Sequence, residues 1–93
     1  MTAFVILSVA RAVGTEIVRS DTSSQVASAV FTVLQRHLAV AQPVLVPSQE
    51  AGDDTVFVTV EVADMQQAHR VAVSLRSISG VLSAFAKPAE GLP

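Results

Sequence analysis

Two histidines, His37 and His69, and an acidic pair, Asp53 and Asp54, are the residues whose side chains could hold a metal or move a proton near neutral pH. A zinc site needs three or four His, Cys or carboxylate ligands converging on one point, and this chain has no cysteine. The histidines fall on different predicted helices, so each reads as a surface or helix-flank residue. Asp53 and Asp54 belong to Ala51-Gly-Asp-Asp54, a composition that makes a turn, where acidic side chains bond the local backbone. No histidine and carboxylate are arranged around a serine or threonine, and the glycine-rich phosphate loops, the nucleophile elbow and the paired metal-ligand motifs are missing. The expectation is a protein that is not an enzyme and uses no catalytic residue, metal or cofactor.

Charge and composition narrow the partners. The 93-residue chain is 51% hydrophobic and 15% charged, with a formal net charge of -2. RNA-binding sheet faces need aromatic platforms and a basic surround, whereas this chain has no Trp, no Tyr and only 6 Lys+Arg, so no nucleic acid is expected. The apolar run over residues 3–10 is too short to span a bilayer and lacks the basic residues that precede a secretory core; it reads as structure, with no membrane partner and a cytoplasmic location. So apolar a composition predicts surface that a partner or a second copy must cover, a homo-oligomer where no partner is present, and, as an alternative function, a structural subunit that self-associates through this face.

The elements that would present such a surface follow from periodicity and caps, and they make one domain over residues 1–93. Residues 3–10, AFVILSVA, are β-branched and aromatic and predict a central strand, with Phe4 and Ile6 on one face and Val5, Leu7 and Val9 on the other. Residues 11–21 read as a long connection that extends the strand through a bend. Thr22 and Gln25 form a capping box for a helix over 23–40, whose apolar face is Val26, Val30, Val33 and Leu34 and which Pro43 stops. Residues 44–47 predict a short edge strand between two prolines. Residues 55–62 alternate Val56, Val58, Val60 and Val62 with Thr55, Phe57, Thr59 and Glu61, the strictest strand pattern in the chain. Asp64 with Gln67 caps a helix over 65–79, Gly80 closes it, and 81–86 form the last strand.

This order, strand-helix-strand-strand-helix-strand, predicts an α+β, ferredoxin-like βαββαβ fold: a four-stranded antiparallel sheet with two helices on one face and the other face open. Val5, Leu7 and Val9, with the Phe57 face or the valine face of the third strand, are the expected binding patch. After the last strand, Lys87-Pro-Ala-Glu-Gly-Leu-Pro93 cannot continue a helix and reads as an extended tail over about residues 87–93.

The helix followed by Ile78-Ser-Gly-Val81 and then Ser83-Ala-Phe-Ala-Lys-Pro88 resembles the end of subtilase propeptides and of the related stand-alone protease inhibitors. Val81, Ala84, Phe85 and Pro88 match that pattern. The resemblance implies a domain that docks its open sheet face on a subtilisin-like serine protease, inhibits it or assists its folding, and lays its tail in the substrate cleft. The binding residues it implies at the last strand and tail are Phe85, Lys87, Pro88, Glu90, Leu92 and Pro93. The element order and the Ile-x-Gly-Val turn also resemble ACT-type regulatory domains, which implies a side-by-side dimer binding a small effector near the first strand-helix turn, where Gly14 is the available glycine.

Overall fold

The computed structural model describes residues 3–21, 23–38, 45–50 and 54–88. In chain order the elements are β1 (Ala3–Ala10), α1 (Arg11–Val18), α2 (Gln25–Leu38), β2 (Leu45–Glu50), β3 (Thr55–Val62), α3 (Met65–Arg76) and β4 (Val81–Pro88). The strands form one antiparallel sheet in the order β2-β3-β1-β4, with β1 between β3 and β4. This is the ferredoxin-like α+β arrangement, with a third helix inserted directly after β1.

Side-chain parity explains the core. Val5 lies opposite Val60 and Leu7 opposite Val58, so the odd positions of β1 and the even positions of β3 share one face. That face meets Ile17 of α1, Val30 and Leu34 of α2, and Val71 and Leu75 of α3, all of them fully buried. Because successive side chains point to opposite sides of a pleated strand, Phe4, Ile6, Thr59 and Glu61 necessarily fall on the other face.

Helix α1 replaces the expected bent connection. Its start carries no side-chain cap; instead the Arg11 amide donates to the Asp54 carbonyl at 2.8 Å, which satisfies one of the amides a helix start leaves free. Its end is a Schellman closure without glycine. Ser20 adopts φ 59, its amide donates to Ile17 O at 3.1 Å, and the Asp21 amide donates to Glu16 O at 2.8 Å. The Asp21 carboxylate then accepts the Ser23 amide at 3.0 Å. That backbone bond, with help from the Ser23 hydroxyl and the Arg19 charge, holds the Asp21 carboxyl below its ordinary pKa. Glycine is used inside the helix, where Gly14 is buried against Val56 of β3 and a Cβ would run into the valine methyl.

The remaining boundaries shift for local reasons. Helix α2 begins at Gln25 because Ser24 caps it, its hydroxyl oxygen accepting the Ala27 amide at 3.1 Å; the expected cap, Thr22, lies outside the described residues. At α3 the expected cap holds, with Asp64 Oδ1 accepting the Gln67 amide at 2.8 Å. Gln67 Oε1 accepts the Ala63 amide, and its Nε2 donates to the His37 carbonyl at 2.9 Å, so one side chain closes the start of α3 and the end of α2. Helix α3 stops at Arg76, short of the expected 79. Gly80, at φ 108, serves a tight turn in which the Val81 amide donates to Ile78 O at 3.1 Å. Strand β2 runs three residues past the expected 47, and β4 two past 86.

The Gly14 contact gives a prediction of sign. Replacing glycine by alanine inside a helix ordinarily gains about 1 kcal/mol. Here the added methyl overpacks the α1–β3 seam at a cost of roughly 1–3 kcal/mol. Gly14→Ala should therefore lower unfolding stability in urea, and Gly14→Ala combined with Val56→Ala should be less unstable than the two separate losses add up to. A Gly14→Ala variant more stable than the parent would mean that the seam has room.

Candidate protein-binding surface

The sheet face away from the helices is built from residues that the strand register brings into rows. In the first row Glu61 of β3, Phe4 of β1 and Lys87 of β4 stand side by side. In the second, Val46 of β2, Thr59, Ile6 and Phe85 cross all four strands. In the third, Phe57, Ser8 and Ser83 lie together, and the Ser83 hydroxyl donates to Ser8 Oγ at 3.0 Å. That bond lets Ser8, only 8% exposed, sit on a largely apolar face without an unsatisfied hydroxyl. Phe85 and Val46 remain 45% and 56% exposed, the extent expected of large apolar side chains on a face that none of the described residues covers. Phe4, Ile6, Thr59 and Lys87 border a shallow depression of about 200 Å³.

The expected patch divides between the two faces. Val5, Leu7 and Val9 are not on the open face: each is 0% exposed and lies under the helices, because β1 registers them against the valine side of β3. Phe57 and Phe85 do lie on the open face. Lys87 and Pro88, expected to begin a free tail, instead complete β4, opposite Phe4 and Ala3. Glu90, Leu92 and Pro93 lie outside the described residues.

Phe4, Ile6 and Val46 are the surface residues that the sequence reading left out. A signal for them was present in β3, whose Thr55, Thr59 and Glu61 mark the solvent side; antiparallel pairing to that side selects Phe4 and Ile6. Leu82, 61% exposed, was hidden by an irregularity: the β1–β4 register shifts between Ser8 and Val9, so that Val81 and not Leu82 faces Val9.

Among the described residues, concavities also lie elsewhere. Arg11, Gly14, Thr15, Val18, Arg19 and Val56 line one of about 210 Å³ between α1 and β3. Across the helix layer, His37 and His69 do meet in one groove with Arg70, Val73 and Ser74, although they come from different helices. His37 is engaged there, its Nε2 lying 3.1 Å from Ser74 Oγ while its carbonyl accepts from Gln67, which makes it a tie between α2 and α3. Among the described residues no three His, Asp or Glu side chains gather as a metal site would require, and no helix is long and apolar enough to cross a membrane. Asp54 is exposed in the turn before β3, and Asp53 lies outside the described residues. No family model matches the chain, and no curated protein matches it.

The two faces of β1 should respond oppositely to charge. Leu7→Lys buries an ammonium among Val58, Ala84 and the helices and should cost more than about 3 kcal/mol, or abolish cooperative unfolding. Ile6→Lys lets the side chain lead its charge to water and should cost less than about 1.5 kcal/mol. Urea unfolding of the two variants measures both, and the reverse ranking would assign the helices to the wrong face.

Proposed function

We propose that this chain is a non-enzymatic protein-interaction domain that docks through its open sheet face on a subtilisin-like serine protease, as a propeptide-like inhibitor or folding chaperone. The observation that carries the reading is the continuity of that face with an edge strand. Phe4, Ile6 and Phe85 form an apolar centre, and β4, which supplies Phe85, is the strand that leads to residues 89–93. Anchoring the domain by its face would set the last residues beside the protease cleft. There they could add as an extended strand, taking affinity from main-chain hydrogen bonds and selectivity from alternate side chains such as Leu92. The anchor converts a weakly held tail into an intramolecular ligand, so the two parts together bind far more tightly than either alone. The resemblance of Val81, Ala84, Phe85 and Pro88 to the propeptide pattern supports this partner over others.

The test separates anchor from tail. Full-length protein should inhibit a subtilisin-like protease. Truncation after Pro88 should keep β4 and thermal stability while weakening inhibition by about a hundredfold, the order of gain that linkage supplies. Phe85→Asp should weaken binding about tenfold with the tail intact. Failure of the full-length chain to inhibit any of a panel of subtilases would remove this reading.

A second reading is favoured by one specific observation. The concavity between α1 and β3 lies directly after β1 and is lined by Gly14, the apolar Val18 and Val56, and the polar Arg11, Thr15 and Arg19. That placement and mixture would suit a small molecule carrying a carboxylate and an apolar group, such as an amino acid, as the ACT resemblance implies. A ligand at ten times its Kd stabilises the folded state by about 1.4 kcal/mol, or about 5–10 °C in Tm for a domain of this size. A thermal-shift screen of amino acids should show such a rise, abolished in Arg19→Ala, if this site is used; a flat screen leaves the protease reading as the better one.

A further inference from the structure

The first row of the open face is self-complementary in charge. Glu61 and Lys87 flank Phe4 on opposite sides, one on β3 and the other on β4, with β1 between them. Neighbouring strands are roughly 4.8 Å apart, so the two charges stand about the same distance to either side of β1. A two-fold axis lying along β1, in the plane between two such faces, inverts that left-right order. It brings Glu61 of each copy over Lys87 of the other, and the same operation stacks Phe4 on Phe4 and Ile6 on Ile6 and sets Thr59 against Phe85.

We propose that the occupant of this face in the isolated protein is a second copy of the chain, packed face to face about a two-fold axis along β1 with two Glu61–Lys87 pairs closing one end. The apolar centre supplies the driving force and the charge row fixes the orientation. Turning one copy end for end would carry the charged row away from its counterpart and leave both charges against uncharged residues of the opposite sheet. Two sheets packed in this aligned way keep their strands within about 30° of each other, which the small spacing of the row about the axis tolerates.

The expected strength follows from the area. Because the axis runs along β1, only β3, β1 and β4 face the other copy; three strands cover about 14 Å across and eight residues about 26 Å along, which is on the order of 370 Å² of face per copy, or about 740 Å² in all. That is below the standard size of specific interfaces and in the range of weak, transient ones, so the dimer should be reversible and dissociate in the high-micromolar range. It is distinct from the protease reading, since it concerns the free protein and requires neither the tail nor a protease.

Charge reversal provides the test, because symmetry dictates which combinations are compatible. Sedimentation of the unmodified chain across the micromolar range should show a monomer–dimer equilibrium. Glu61→Lys and Lys87→Glu alone each turn both pairs into like-charge pairs and should weaken the dimer about tenfold. The double variant Glu61→Lys/Lys87→Glu restores both pairs and should recover most of the loss. An equimolar mixture of the two single variants should form a heterodimer tighter than either homodimer, since each charge then meets its opposite. Urea unfolding confirms that each variant folds. An unmodified chain that stays monomeric throughout, or a dimer whose affinity is the same in the single and double variants, overturns the arrangement; neither outcome bears on protease inhibition, which is measured separately.

Discussion

The antiparallel register that sets Val5 against Val60 and Leu7 against Val58 is the constraint from which the rest of the molecule follows. With a side-chain period of two, a slip of one residue would exchange the core for the surface along the whole of β1. The register is held on both flanks of β1, by β3 and by β4, and it places every odd residue from Ala3 to Val9 against the helices. Burial of that valine-rich side is what leaves Phe4, Ile6, Phe57 and Phe85 facing outward. The open face is therefore a consequence of the core, and it cannot be enlarged or removed by register without unmaking the fold.

The helices on the covered face are tied together by side chains that carry polar bonds and not only apolar contact. Gln67 joins the start of α3 to the end of α2, and His37 reaches Ser74 across the same seam. The Gln67 bonds close backbone groups at two helix ends that would otherwise lack a partner from within the helices. Helices α2 and α3 are thus fixed to each other, and their buried Val30, Leu34, Val71 and Leu75 seat the pair on the sheet. A rigid face favours association because little conformational entropy is lost when it docks.

Much of this was legible in the sequence, and the failures have identifiable causes. The alternation of Val56 to Val62 and the Asp64–Gln67 cap located β3 and the start of α3 because both signals are local: a period of two and a side-chain oxygen three residues from its amide. Helix α1 was missed because its signals are nonlocal or disguised. Its first amide is satisfied by Asp54, far along the chain; its end uses Ser20 in the left-handed region where glycine is usual; and Gly14 occupies its middle for a packing reason that only β3 reveals. The start of α2 moved because Ser24 caps it, a choice among neighbouring hydroxyl residues that spacing alone does not decide. The patch went to the wrong face of β1 because both faces of that strand are apolar. Only its partner, with threonines and Glu61 on one side and valines on the other, breaks the tie.

One sheet face cannot seat a second copy and a protease at once, and this exclusivity links the two proposals through mass action. Where the chain is concentrated, self-association lowers the fraction of free faces, and the apparent affinity for any partner using Phe4, Ile6 and Phe85 falls by that fraction. Where it is dilute, the face is free for any other partner. The charge row gives the two states different dependence on salt. Glu61 and Lys87 sit at the rim of the face and are screened by ions, whereas the Phe and Ile contacts at the centre are not, so salt should shift the balance from the oriented dimer toward whichever complex relies more on the apolar centre. A proposed interface whose apolar area is modest and whose orientation depends on rim charges is suited to exchange between partners, and a sheet face that the described residues leave uncovered would make such exchange possible without any change in the core.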